Sequence, residues 1–222
     1  MSDSVVIDKA NVQGGVDLMN QLPGGEILGE SPLHHAELDK LASMPAKGKG
    51  VVLKELKLMG HLTLRCDASN EEQTSAVESI LGFPLPLKPL TSTSKGDYAA
   101  RWLSPDEWLI TVPGLAAFDV EAAFRERLPG HYSLVNGSGG STILELSGPF
   151  AVDVLKKSCP IDFHLSEFPA GKVVSSVFAK SGAIIRRIED ERFELVIRRS
   201  FADYLWLWLQ DASLEYGLAI EK

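Results

Sequence analysis

The residue types able to do chemistry in this chain are spread out rather than gathered. Gly137-Ser138-Gly139-Gly140-Ser141 places serines among glycines, as a nucleophile elbow would. No window of it reads G-x-S-x-G, so a Gly/Ser hairpin turn accounts for the run. Gly137-x-Gly139 lacks a third glycine in register, no helix begins there, and G-x-x-x-x-G-K-[ST] is absent, so nucleotide binding has no support. His34 and His35 are adjacent, and neighbouring side chains of an extended segment point apart, which makes joint metal ligation awkward. His61, His131 and His164 stand alone and read as surface or turn histidines. Cys66 and Cys159 lie far apart without C-x-x-C spacing, so buried or half-buried thiols are expected rather than a zinc site or disulfide framework. Asp106-Glu107 and Glu189-Asp190-Glu191 could pair as general acid and base. They fall in turns, where water keeps carboxylates near their ordinary pKa values. Arg186–Arg187 and Arg198–Arg199 sit in strand-like runs and read as solvent-facing strand charge.

No constellation survives, and no catalytic, cofactor-binding or metal-ligating residue is assigned to this chain. Trp206 is the aromatic best placed for contact. Phe201, Tyr204, Leu205 and Trp208 recur at helical core spacing, which points Trp206 away from that stripe and toward a partner chain. Leu33, in a breaker-rich but apolar segment, is the second candidate partner contact.

The elements that would position these residues follow from composition and pattern. The 222 residues are 45% hydrophobic and 23% charged, enough to bury a real core. A net charge of −8 and a pI near 5.2 argue against nucleic acid or an anionic membrane as a partner. The first residues carry no basic and apolar signal-peptide pattern, and no apolar run is long enough to span a bilayer, so a cytoplasmic location is expected.

Residues 1–50 are punctuated by Gly14-Gly15, Pro23-Gly24-Gly25, Gly29, Pro32, Pro45, Gly48 and Gly50. This reads as an extended N-terminal arm. Its apolar residues, from Val5, Val6 and Ile7 to Leu28 and Leu33, suit a segment that becomes ordered by lying on something, such as another chain. From Val51 the pattern predicts a strand pair, 51–58 and 61–66, around Gly60. A capping box Ser69-x-x-Glu72 then opens a helix to Leu81, stopped by Gly82 and Pro84. A loop spans 84–96. A hairpin, 98–103 and 108–112, turns at Ser104-Pro105-Asp106-Glu107, and a helix covers 116–128. The order then recurs: strands 131–136 and 141–146, a short helix to Lys157, strands 172–180, 183–188 and 193–199, and a last helix opened by Ser200-Phe201-Ala202-Asp203. The expected fold class is α+β, with two pseudo-repeated sheet-plus-helix sandwiches at 51–130 and 131–222 behind the arm.

Ordered motifs run through most of this sequence. They are Ser31-Pro32-Leu33, Trp102-Leu103-x-Pro105-Asp106-Glu107-Trp108-Leu109, Leu146-Ser147-Gly148-Pro149, Cys159-Pro160-Ile161-Asp162, Phe168-Pro169-x-Gly171 and Arg199-Ser200-Phe201-Ala202-x-Tyr204-x-Trp206-x-Trp208-Leu209. Together they resemble the gamma subunits of heterotetrameric sarcosine oxidases, from about Ser31 to Gly217. The resemblance implies a fold related to aminomethyltransferase-type, folate-binding proteins. It also implies a non-catalytic place beside alpha, beta and delta chains in a complex that demethylates sarcosine to glycine. That complex passes the one-carbon unit to tetrahydrofolate and releases hydrogen peroxide. FAD, FMN, NAD, tetrahydrofolate and zinc are then expected in the partner chains. The equivalent subunit of a related N-methyl amino acid dehydrogenase, or a stand-alone folate-binding protein, are the alternatives. The Lys-Gly-Cys signature of some folate-binding relatives has no counterpart beyond Lys156-Lys157-Ser158-Cys159, which weighs against an independent folate role.

Overall fold

The structure is a computed structural model that describes residues 29–45 and 48–222. The apolar residues of the arm up to Leu28 therefore lie outside the described residues. Two sheets form the body, one mixed and one wholly antiparallel. The first has six strands: β1 (Val51–Leu56), β7 (Ser141–Ser147), β8 (Val173–Phe178), β9 (Ser181–Glu189), β10 (Arg192–Arg198) and β11 (Leu218–Glu221), in the order β11-β1-β7-β10-β9-β8. The second has five: β2 (Gly60–Arg65), β3 (Ser92–Lys95), β4 (Tyr98–Ser104), β5 (Glu107–Val112) and β6 (Ser133–Asn136), in the order β3-β4-β5-β2-β6. All pairings are antiparallel except β1 with β11.

The strand pair expected around Gly60 does not form. β1 enters the six-stranded sheet beside β7, while β2 enters the five-stranded sheet between β5 and β6. The strands at 131–136 and 141–146 part in the same way, β6 to one sheet and β7 to the other. The physical reason lies in the apolar faces. Val51 and Leu53 of β1 and Leu144 and Leu146 of β7 belong to one core, Leu62 and Leu64 of β2 and Leu134 of β6 to the other, so the connections 57–59 and 137–140, though of hairpin length, carry the chain between layers. Each half of the sequence thus lends one strand to the other's sheet. β3 falls within the span that reads as a loop, because its four residues carry no apolar alternation.

Helices cover the outer face of each sheet. Helix α2 (Glu71–Leu81) and α3 (Ala117–Arg127) bury Val77, Leu81, Val120 and Phe124 against Leu62, Leu64, Trp108 and Ile110 of the five-stranded sheet. The cap of α2 is Asn70, one residue beyond the expected Ser69, and its side chain accepts from the backbone N–H groups of Glu72 and Gln73. Gly82 ends the helix as expected, with φ of 79° at the left-handed position that glycine tolerates. Gly60 is needed for a different reason: a Cβ there would stand 2.6 Å from the Ala117 side chain, so only glycine lets α3 approach.

Helix α4 (Ala151–Ser158) and α5 (Ala202–Ala212) cover the six-stranded sheet, burying Val154, Leu155, Leu205 and Leu209 against Leu53, Leu144, Phe193 and Leu195. Each such side chain contributes about 1.5–3 kcal/mol of hydrophobic stabilisation. The buried stripe of α5 is Ala202, Leu205, Trp206, Leu209 and Ala212. Trp206 is therefore on the core face, 7% exposed, while Phe201 is 40% exposed and Trp208 only partly buried. The expected stripe was rotated because i, i+3, i+4 spacing fits two neighbouring faces when nearly every residue of a helix is apolar. The short helix α1 (Leu38–Ala42) completes this layer. Leu33 and Leu38 join the same core, so the arm from Ser31 onward lies on this chain's own sheet.

Candidate functional site

The inner faces of the two sheets meet at a small apolar contact. Leu109 of the five-stranded sheet packs with Ile143 and Val196 of the six-stranded one. Beside it the sheets diverge and leave a cleft of about 650 Å³. One wall carries Ile143, Glu145, Arg186, Ile188, Arg192 and Glu194; the other carries Ser94, Asp97, Tyr98, Ala99 and Thr111.

A charge cluster forms its floor. Arg101 of β4 reaches across with Nη2 donating to Glu194 Oε2 at 2.5 Å and Nη1 donating to Thr111 Oγ1 at 2.7 Å. Arg186 of β9 donates from Nη1 to the same Glu194 oxygen at 3.2 Å and from Nη2 to Ser94 Oγ at 2.6 Å. Arg192 of β10 pairs with Glu145 of β7 at 2.9 Å. Arg101 and Arg186 are 1% and 6% exposed. Burial pushes the Glu194 carboxyl up, but the two guanidiniums together outweigh it and hold the group below the usual carboxylate range. Burial, and next to it the Arg101 charge, lower Arg186, whose guanidinium nonetheless stays protonated.

His61 faces the same interior from β2, 3% exposed. Its Nδ1 lies 3.0 Å from the Met59 carbonyl, which accepts and so assigns the proton to Nδ1. Its Nε2 has no partner. Burial, seconded by Arg101, lowers its pKa and keeps the ring neutral.

Arg187 points to the opposite face of β9. It donates to the carbonyls of Phe168 at 2.6 Å and Phe163 at 3.0 Å and stacks 4.7 Å over the Phe193 ring. There it ties the 159–172 connection to the sheet. Both Arg186 and Arg187 are thus buried, against the expectation of solvent-facing charge, because the sheet is covered on both sides. Arg198 and Arg199 are exposed, as expected. His61 is likewise buried rather than a surface histidine.

The remaining residues fall as follows. Asp106 and Glu189–Glu191 stay at solvated turns. Cys66 and Cys159 are buried free thiols, pushed up to about 11 and about 12 chiefly by burial. His35 meets Asp203 at 2.7 Å on the surface. Among the described residues no three His, Cys, Asp or Glu side chains come together to hold a metal. No helix among them is long and apolar enough to cross a membrane. Leu33, a candidate partner contact, is 1% exposed, and its backbone N–H and the Ser31 hydroxyl donate to the buried Glu55 carboxylate. Trp206, the other, shows only an edge in a surface groove with Leu41, Met44, Pro45, Leu214 and Ile220.

Comparison with known proteins agrees with this architecture. The model of the sarcosine oxidase, gamma subunit family matches residues 65–215. Sarcosine oxidase subunit gamma of Corynebacterium sp. (strain U-96) is 28% identical over 194 residues, covering 86% of this chain and 93% of that one. Its counterpart from Arthrobacter sp. is 28% identical over 198 residues, covering 86% and 95%. Among solved structures, a chain of the heterotetrameric sarcosine oxidase from Corynebacterium sp. U-96 in complex with pyrrole 2-carboxylate superposes with a TM-score of 0.74 at 26% identity, over 85% of this chain and 96% of that one. The glycine cleavage system aminomethyltransferase T from Bartonella henselae shares the fold, with a TM-score of 0.60 at 14% identity over 85% of this chain and 58% of its own. The chain belongs to the sarcosine oxidase gamma subunit family.

Proposed function

We propose that this chain is the non-catalytic gamma subunit of a heterotetrameric sarcosine oxidase. The complex would demethylate sarcosine oxidatively to glycine, pass the one-carbon unit to tetrahydrofolate and release hydrogen peroxide. The supporting observation is the match, in sequence over 86% of this chain and in fold over 85% of it, with chains of that oxidase. Alpha, beta and delta chains are the partners in this reading. FAD, FMN, NAD, tetrahydrofolate and zinc are carried by those partners, in a cytoplasmic complex.

The internal chemistry is consistent with such a role. The buried acids Glu55, Glu145 and Glu194 are each engaged by donors of this chain. The thiols are buried, and burial holds them protonated. The body divides in this reading into halves 51–130 and 131–222, related as pseudo-repeats that exchange β1 and β6, with 1–50 as the arm. Trp206 and the groove around it form the partner-facing side.

Purification of the tagged chain from its native host tests the proposal. Three further chains and flavin absorbance should co-purify, and the assembly should oxidise sarcosine. The separated chain should carry no flavin and oxidise nothing. Recovery of the native protein as a free monomer refutes the reading.

A further inference from the structure

We propose that the cleft between the two sheets is a binding site for a small organic carboxylate, anchored on Arg186 with Arg101 behind it. This rests on the cleft alone and stands apart from the subunit reading above.

The first argument is charge. Arg192 is half exposed and is answered by Glu145 and, at 3.6 Å, by Glu189. The imbalance lies at the buried end, where Arg101 and Arg186 share a single oxygen of Glu194. A surplus cation taken out of water is costly unless a counter-ion joins it. The other charges of the wall do not supply one. Lys54 and Glu221 pair with each other at the mouth, and Asp97 is exposed on the β3–β4 turn, where water screens it.

The second argument is unspent hydrogen-bonding capacity. The Nε–H groups of Arg101, Arg186, Arg187 and Arg192 are buried and have no acceptor. Arg187 lies on the opposite face of β9; the other three gather at the cleft, and native interiors satisfy nearly all such donors, so their grouping there points to a missing acceptor. On Arg186 the free Nε lies beside Nη2, which donates to the hydroxyl of Ser94 on the opposite sheet. The Nε–Nη2 edge is the fork that a carboxylate occupies bidentately, and Ser94 is the neighbour it would displace.

The third argument is shape. A volume of about 650 Å³ falls within the range of small-molecule sites, roughly 300–1,000 Å³. Leu56, Met59, Ile143 and Ile188 offer apolar surface for the rest of the ligand, and Tyr98 stands at the edge. A compact molecule with one carboxylate and an apolar body matches these walls.

Isothermal titration and thermal unfolding of the full chain test this, with sodium benzoate as the carboxylate probe and sodium sulfate at matched ionic strength as the inorganic anion. Benzoate should bind saturably and raise the melting temperature, and sulfate should not. Arg186→Met should weaken benzoate binding at least tenfold. Ser94→Trp, on an exposed edge strand, should block the cleft and weaken it similarly, which decides the matter if Arg186→Met does not fold. Equal effects of sulfate and benzoate, or benzoate binding unchanged in a folded variant, overturn the proposal. Absence of any saturable binding also overturns it, and passes the surplus charge to an acidic side chain of a partner protein.

Discussion

Arg101 Nη2 meets Glu194 Oε2 at 2.5 Å across the two sheets, so one ion pair of this chain joins β4 of one layer to β10 of the other. Arg186 stands directly opposite Glu194 in the register of β9 and β10 and shares the same oxygen. The layers are therefore held on their inner faces by a charged bridge as well as by the contact of Leu109 with Ile143 and Val196. Such a bridge fixes the relative placement of the sheets, since a guanidinium fork tolerates little displacement.

Removing the shared carboxylate should be severe. Glu194→Gln leaves two buried guanidiniums facing each other without a counter-charge, and it should cost about 3–5 kcal/mol in urea unfolding of the chain. Replacing all three, as Arg101→Met, Arg186→Met and Glu194→Leu together, removes the desolvated charge altogether. That variant should recover most of the loss. If the triple variant is as unstable as Glu194→Gln, the cost lies in packing rather than in the orphaned charge.

How much of this was open to reading in the sequence can be seen at β9. Apolar residues Ala183, Ile184, Ile185 and Ile188 occupy both parities of that strand, which marks a strand buried on both faces. Arg186 and Arg187, lying between them on opposite faces, then have to be buried too. The signal was present, but it was outweighed by the general rule that paired arginines face water. The elements themselves are legible where apolar periodicity is bounded by turn and breaker residues, as for α2, α3 and the β4–β5 hairpin. The pairing of β1 with β7 and of β2 with β6 was not, because strand partners distant in sequence leave no local mark. The charge cluster inherits that blindness, since Arg101 and Glu194 are brought together only by the layering.

The buried histidine gives the stability a pH dependence with a definite sign. The folded-state pKa of His61 is lowered, chiefly by burial, so the unfolded chain takes up its proton first as the pH falls below about 6.5. Stability should be fully present above that value and decline as the pH drops toward the folded pKa. The slope is bounded by about 1.4 kcal/mol per pH unit for the one proton. His61→Gln should flatten the curve in this window. Glu194, whose folded pKa is also lowered, adds its own loss only below about 4.3, the unfolded carboxylate value. An unchanged slope between pH 6.5 and 5 in His61→Gln would assign the dependence to other groups.

Cys66 and Cys159 should be inert in the native chain. Burial raises their thiols to about 11 and about 12, which leaves almost no thiolate at neutral pH. Titration with a chromogenic disulfide at pH 8 should find no fast-reacting thiol in native protein and two in urea. A thiol that reacts within seconds under native conditions would show that its site opens.

The groove beside α5 separates folding from assembly. Trp206 is 7% exposed and packs within the core of the six-stranded sheet, whereas Leu214 on the same rim is 80% exposed. Trp206→Ala should destabilise the isolated chain by about 3–5 kcal/mol through the cavity it leaves. Leu214→Asp, whose side chain buries almost nothing in this chain, should change its stability by no more than about 0.5 kcal/mol. In the proposed complex the order should invert. Leu214→Asp places a carboxylate against an apolar contact and should lower co-purification of the other subunits, while leaving the melting curve of the free chain in place. If Leu214→Asp assembles as the parent chain does, the groove is not the partner-facing side, and Trp206 serves the core alone.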